Sequence, residues 1–576
     1  MSDSRSRIAQ SFEDFRERLA HQDALPQLVV LGLIAGIASS LIIVAFRWLI
    51  ETPLLTFFGD NSDSFESLSP LLRFSVPFGG AVLLGLALSR VKVEHRSVSV
   101  THVLERLHNN NAKLPGRNIF LQFFGGIVAL ASGQSVGREG PSVHLGAAVS
   151  SQLGQFFGLP HNSLRTLVAC GAAAAIAASF NTPMAGVVFA MEVILMEYTI
   201  AGFIPVIVAS VLGATISQLV LTSDISLGNS SEVVDVLSQL PYLVFAGVLF
   251  AIAAALYIKL HLAFFGLHRY SILLRFSAIG LVTGAVAVFI PEILGTGYDT
   301  LGVAMGGELL LETLLIIAVA KLLVTAMATG LGMLGGLIGP TLVIGGCLGG
   351  VVGLIGAWFV PEASYPDMYV LLGMVAMMGA VLNAPLAALV AILELSSNPS
   401  IIFPSMLTVV VSCVIVREVF NYEGVFVEQL KRHGHNINEG VGKGFLARIG
   451  VGSVMNRSFA RCESQLSVTE ARQLVSEKPL WLIFEPGDVL ALLATSDLVR
   501  ELEQCGEDES EIDLTSFGNR ILQTTEISAL SSLREAGELI QQTGADALLI
   551  VSPDSRENAS VKGVVTRQTM LAYYGM

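Results

Sequence analysis

The chain has 576 residues, 53% hydrophobic and only 14% charged, with a mean hydropathy of +0.68, whereas soluble domains carry about 25% charge. A fibre, a disordered scaffold and a secreted disulfide framework are excluded, the last because the five cysteines (Cys170, Cys347, Cys413, Cys462, Cys505) are scattered without a CxxC pair. A net charge of −14 and a pI near 5.2 argue against nucleic-acid binding, which needs a basic footprint.

A polytopic α-helical membrane protein follows, and its 56 glycines predict closely packed, interrupted helices. Residues 1–26 are charged and lack an apolar h-region, so they read as a cytoplasmic segment rather than a cleavable signal peptide. Apolar runs then recur at about 27–50, 71–91, 119–132, 164–180, 184–222, 238–265, 273–291, 313–330, 340–360, 368–397 and 403–417. Several fall short of the roughly 20 residues a span needs, or are cut by Gly and Pro. Irregular backbone in a membrane must be buried in protein or line a polar cavity, so these breaks point to where a solute passes.

Two segment pairs repeat at nearly constant offset. Pro141-Ser142-Val143-His144-Leu145-Gly146 resembles Pro340-Thr341-Leu342-Val343-Ile344-Gly345, and Asn181-x-Pro183-x-Ala185 with Glu192 resembles Asn383-x-Pro385-x-Ala387 with Glu394. Two related membrane halves, 27–225 and 226–420, are expected as inverted repeats, with a site at their interface near the midplane.

Gly137-Arg138-Glu139-Gly140-Pro141 is where an apolar helical run is broken by adjacent ionisable residues, and an intramembrane ionisable residue is a functional candidate. The glycines free successive N–H groups and Pro141 suits the first turn of a helix over 142–157. Free amides at a helix N-terminus make an anion site. A carboxylate there competes with an anion when ionised and leaves when protonated, which is a gate; the plainer alternative is an Arg138–Glu139 pair closing a loop. Gly335-Gly336-Leu337-Ile338-Gly339-Pro340 repeats the turn-then-helix device without charge. Backbone donors avoid the trapping that a buried cation would cause for a small anion.

These motifs resemble the CLC chloride channel and transporter family: GREGP at 137–141, the 336–340 turn, and FNTPMAGVVFAME at 180–192 match its landmarks in order and spacing. The resemblance covers about residues 27–430. It implies a homodimer with a separate chloride pathway in each subunit, Glu139 as the gating glutamate, and main-chain amides of Leu337 and Ile338 at the anion, with Gly137, Arg138 and Gly140 around it. Three positions depart from the family pattern. Its serine-bearing stretch falls on Ser97-Val98-Ser99-Val100-Thr101, ahead of an expected helix Val103–His108, with Val98 where the serine stands and Ser97 or Ser99 as substitute hydroxyls. Its pore tyrosine falls on Phe426, with Tyr422 nearby. Its inner proton glutamate falls on Val193, next to Glu192, which implies a passive channel; Glu197, at i+4, is the substitute that a proton-coupled antiporter would need. Glu192 reads as a helix-end or interface carboxylate, His144 as a hydrogen-bonded structural histidine, and Lys321, Glu312 and Glu394 as helix-end residues that snorkel or pair.

The last 136 residues hold 19 of the 47 acids and 12 of the 33 Lys/Arg, a density that marks a soluble tail. An amphipathic connector (421–449, with Lys431, Arg432, His433 and His435) leads to strands Leu480–Phe484 and Val489–Leu493 and helix Ser496–Glu503. Helix Ser531–Thr543, strands Ala547–Val551 and Val561–Val565 and helix Arg567–Tyr574 complete the reading. This resembles a pair of cystathionine-β-synthase (CBS) modules, 450–505 and 519–576. Such pairs often bind adenine nucleotides through a [ST]xxD pattern, but Ala494-Thr495-Ser496-Asp497 lacks the first hydroxyl and Thr566-Arg567-Gln568-Thr569 the acid. A structural, dimer-stabilising tail with no cofactor is therefore expected, and Glu507–Asp513 reads as a solvated acidic linker. No phosphate loop, metal constellation or nucleophile–base pair suggests an enzyme. The sequence thus predicts permeation of chloride or a similar small anion. The alternatives are a proton-coupled antiporter and a transporter of another inorganic anion regulated by the CBS pair.

Overall fold

The computed structural model describes residues 24–59, 63–221, 236–359, 366–434, 449–487, 489–504, 511–552 and 561–574, together with Leu19 and Leu446. One compact unit comprises 28–156 and 165–437, and 157–164 belong with the tail in a second. Nine helices among the described residues are long and apolar enough to cross a membrane.

The membrane unit is two sets of eight helices in matching order. The first set is α1 (Leu25–Phe58), α2 (Pro70–Ser89), α3 (Val100–Asn109), α4 (Gly116–Ala131), α5 (Glu139–Phe156), α6 (His161–Phe180), α7 (Pro183–Phe189) and α8 (Ile200–Val220). The second is α9 (Val236–Phe265), α10 (Ile272–Phe289), α11 (Tyr298–Met305), α12 (Leu311–Gly330), α13 (Ile338–Phe359), α14 (Pro366–Leu382), α15 (Pro385–Ser396) and α16 (Ile402–Val414). Short α3 and α11 and split α7/α8 are the broken helices that the Gly and Pro breaks imply. The apolar run 184–222 is therefore two helices, because α7 widens into a π-turn, Ala190–Leu195, and ends at left-handed Met196. The run 27–50 continues to Phe58 through Pro53.

Small residues let the helices touch. Gly146 of α5 packs on Gly171 of α6, and in the second half Gly345 of α13 packs on Gly373 of α14; close backbone approach of this kind replaces hydrophobic drive in lipid. Lys321 is not at a helix end. It lies near the middle of α12, fully buried, and donates to the carbonyls of Glu292 (3.2 Å), Ile293 (3.2 Å) and Gly295 (3.4 Å). A cation in a span is held there because three carbonyls at the end of a short 3-10 turn, Pro291–Ile293, and just after it need donors as much as it needs acceptors.

The repeated Asn-x-Pro…Glu motif closes as a crossed pair. The Glu394 carboxylate accepts from the Met184 and Ala185 amides at 2.9 and 2.7 Å, and Glu192 accepts from the Leu386 and Ala387 amides at 3.2 and 2.6 Å. Each acid at the end of one helix thus caps the first turn of its counterpart in the other half, where orphan amides and the helix dipole favour negative charge. Asn181 and Asn383 precede the two helices with φ of 59° and 55°, a left-handed turn that Asn tolerates. Glu312 sits in the first turn of α12. After α16, helix α17 (Val425–Arg432) follows left-handed Gly424, and its Gln429 accepts from the Thr101 hydroxyl at 2.7 Å.

The tail is an α/β domain of two like halves. Its six-stranded sheet runs β1-β3-β4-β6-β7-β8, with β1 (Phe459–Arg461), β3 (Trp481–Phe484), β4 (Ala491–Ala494), β6 (Leu522–Ser528), β7 (Ala547–Val551) and β8 (Val561–Thr566). In each half the first strand pairs parallel with the second and the second antiparallel with the third (β1–β3–β4 and β6–β7–β8), and the halves join antiparallel at β4–β6. Helices α18 (Val468–Ser476), α19 (Thr495–Gln504), α20 (Leu533–Thr543) and α21 (Arg567–Tyr574) cover it. Residues 449–456 belong with the second half: Val451 donates to Ser531 and Asn456 bridges Val564, while Leu446, Ile449 and Val451 enter that core. Of the acidic run 507–513, residues 511–513 form β5, paired with β2 (Gln465–Ser467), since Ile512 is buried in the first core; 507–510 lie outside the described residues, as do 435–445 of the connector. The Thr566 hydroxyl caps α21 by accepting from the Thr569 amide at 3.2 Å.

Glu192→Ala and Glu394→Ala each remove a cap across the halves, and each is expected to cost about 1–2 kcal/mol. Gln at either position keeps an acceptor and is expected to lose about half as much, measured by thermal unfolding of the detergent-solubilised protein.

Candidate functional site

The two glycine turns meet as a short antiparallel bridge. The Gly137 amide donates to the Gly336 carbonyl at 2.7 Å and the Gly336 amide to the Gly137 carbonyl at 2.6 Å. Side chains are excluded there, since a Cβ on Gly140 would lie 2.8 Å from the Gly336 Cα. From this bridge α5 and α13 start in the two halves. Helix α5 begins at Glu139 rather than at 142, because the Arg138 carbonyl already accepts from the Ser142 amide and hydroxyl. Likewise α3 begins at Val100, three residues before the expected Val103, with Ser99 turned to φ 97° ahead of it.

Glu139 is fully buried and its carboxylate folds back between the two turns. A Cβ on Gly137 would collide with its Oε2, and one on Gly339 would lie 2.7 Å from its Oε1. Among the described residues Oε2 has no hydrogen-bond partner, whereas Oε1 accepts from the Tyr298 hydroxyl at 2.8 Å.

Arg138 and Glu139 do not close a loop as a pair. The Arg138 guanidinium turns to Glu51 of α1 (Nη1 to Oε1, 2.7 Å), which also accepts from Arg47 at 3.0 Å, and lies 5.5 Å from the centre of the Phe180 ring. So of the residues expected at an anion, Arg138 has its charge engaged with Glu51. Gly137, Gly140, Leu337 and Ile338 are gathered at the bridge and the start of α13, the last two 5% and 4% exposed. Val98 and Ser99 stand at the start of α3, and buried Phe426 lies in the first turn of α17; these two helices touch through Thr101 and Gln429. His144 hydrogen-bonds the buried His102 ring (3.0 Å), which in turn accepts from Arg106 at 3.2 Å.

Val193 is buried inside the π-turn. Glu197 does not share its helical face, because the helix has ended at Met196; it pairs with Arg165 at 3.4 Å. Glu192 is engaged in capping α15. Tyr298 was not singled out from sequence. The available signal was Gly295-x-Gly297-Tyr298 opening a short helix at the place in the second half where α3 and its Ser99 stand in the first.

Mirrored broken helices that converge on one buried carboxylate define a polytopic inverted-repeat protein of the transporter and pore class. A family profile described as "Voltage gated chloride channel" matches residues 80–417, and the chain belongs to that family. It is 29% identical to the "H(+)/Cl(-) exchange transporter ClcA" of Vibrio cholerae serotype O1 (strain M66-2) over 327 residues, 54% of this chain and 69% of that one. It is 26% identical to the "Voltage-gated ClC-type chloride channel ClcB" of Escherichia coli O139:H28 over 419 residues, 70% of this chain and 99% of that one. Among solved structures, a slow cyanobacterial Cl-/H+ antiporter shares the fold at a TM-score of 0.62 and 20% identity, covering 70% of this chain and 97% of its own. A eukaryotic CLC transporter matches at 0.60 and 18%, covering 94% and 97%. Relatives thus include both proteins named exchangers and proteins named channels.

Gly137→Ala places a methyl group chiefly against the mobile end of Glu139, with the Pro340 ring at 3.0 Å, so it is expected to displace that carboxylate at little cost to the fold. Gly336→Ala meets backbone instead and is expected to cost about 1–3 kcal/mol, as overpacking does. Thermal unfolding separates the two variants.

Proposed function

We propose that this protein passes chloride or a similar small inorganic anion across the membrane, with Glu139 as the gate. The observation that carries the reading is the position of the Glu139 carboxylate: buried between the starts of α5 and α13, where backbone amides and helix dipoles favour negative charge. An anion binds at the amides of residues 138–140 and 337–338 once the carboxylate is protonated and withdraws, the Gly137 amide being engaged in the bridge to Gly336. No fixed cation competes for it, since Arg138 is engaged with Glu51. Ser99 and Val98 at the start of α3 and Phe426 of α17 flank the path, with a hydroxyl at 99 in place of one at 98.

In this reading permeation is passive and runs within each subunit of a homodimer, with the tail in the cytoplasm and acting as a structural CBS pair. Passive permeation is supported by Val193, which carries no proton, and by the engagement of both neighbouring acids, Glu192 and Glu197. Proton-coupled exchange is the competing reading, favoured by the relatives named as H(+)/Cl(-) exchangers.

Glu139→Gln mimics the protonated gate. It is expected to raise chloride efflux from proteoliposomes about tenfold at neutral pH and to abolish its pH dependence, the factor expected when the closed state loses one charge-assisted hydrogen bond, about 1.5–3 kcal/mol. Unchanged efflux counts against the gate. For the wild-type protein, a reversal potential that follows chloride alone across a proton gradient supports passive flow, and one that moves with pH at fixed chloride establishes exchange.

A further inference from the structure

We propose that Tyr298 is the positioning residue of this gate, its phenol holding the Glu139 carboxylate in the blocking position; the inference rests on the gate reading above. Three observations support it. First, the phenol is the only side-chain donor on Glu139 among the described residues: Oε1 accepts from it at 2.8 Å while Oε2 has none. The adjacent guanidinium, which would make a far stronger clasp, is drawn off by Glu51. A neutral donor suits a part that must release, because it stabilises the ionised carboxylate without trapping it.

Second, Tyr298 is held from every side. It opens α11 directly after Gly295 and Gly297, both left-handed at φ 58° and 81°. The loop before it is pinned by Lys321 through three carbonyls, by the Thr296 hydroxyl on Asp63, and by the Gly295 amide on the Gly133 carbonyl. Third, the ring of Phe180, which carries Arg138, meets the Tyr298 ring edge-on with centroids 6.3 Å apart. Phe180 thus packs against both the guanidinium and the phenol.

The charged and titratable groups facing the pair are Arg138, held by Glu51, on the Glu139 side, and Asp63 on the Tyr298 side. Beyond them Glu66 and Asp299 hydrogen-bond to one another, with Glu292 and Lys321 nearby. These can titrate with Glu139, so the test needs a background in which Glu139 cannot.

The test is chloride efflux from proteoliposomes as a function of pH for wild type, Tyr298→Phe, Glu139→Gln and the double variant. A donor to a carboxylate favours its ionised form, so Tyr298→Phe is expected to move the half-activation point about one pH unit upward. In the Glu139→Gln background the same change is expected to do nothing. Incorporation of 3-fluorotyrosine at 298, a stronger donor of the same size, is expected to move the point downward, and it keeps the test open if the Phe variant misfolds. An unmoved midpoint in both single replacements overturns the proposal, as does an equal shift with Gln at 139. If Glu139→Gln itself leaves the pH profile intact, the gate reading fails instead, and the two failures are distinguishable.

Discussion

The structure depends on one contact between the halves: two glycine turns that bridge through their own main chains at Gly137 and Gly336. Because neither residue has a side chain, the starts of α5 and α13 approach closely enough for one small group to sit between them. That group is the Glu139 carboxylate. Everything else near it keeps the place free of fixed positive charge and of bulk, from Glu51 drawing Arg138 aside to the glycines at 137, 339 and 140 that leave no room for a methyl group.

The halves are also tied at a second level. Glu192 and Glu394 each end one helix and cap its counterpart across the pseudo-symmetry axis, so the repeat is stabilised by an exchange of caps rather than by apolar contact alone. This is economical in lipid, where helix association gains little from hydrophobicity and unsatisfied amides are costly. It also explains why the spacing between Asn and Glu is the same in both halves: the acid must reach the other half's first turn, and a change in length would miss it.

The repeat, the broken helices and the burial of Glu139 were legible because each follows from local rules: Gly and Pro breaking apolar runs, an ionisable pair flanked by glycines, and two motifs at matching offsets. What was not legible depends on distant partners. Arg138 and Glu139 are neighbours in sequence, yet the arginine's partner is 87 residues away and the glutamate's donor 159. Lys321 looked like a helix-end residue because a cation inside a span is expensive, and nothing nearby in sequence announced that the loop at 292–295 offered three carbonyls. Glu197 looked like a continuation of its helix because the π-turn that stops it leaves no compositional mark. In the tail, β7 and α21 were recognised at their ends, but the strand at 511–513 was hidden inside an acidic run, where a single Ile512 is the only apolar sign.

The buried lysine also constrains how the chain can be made. A span with a charge at its centre is poorly accepted by the insertion machinery on its own, at about 2.5–3.5 kcal/mol for the lysine alone. Its acceptors all belong to the segment synthesised just before it, so the stretch from Glu292 to Gly295 has to be waiting when α12 emerges. Helix α12 and the 292–295 segment are therefore expected to enter the membrane as one unit, with the start of the loop that carries Tyr298.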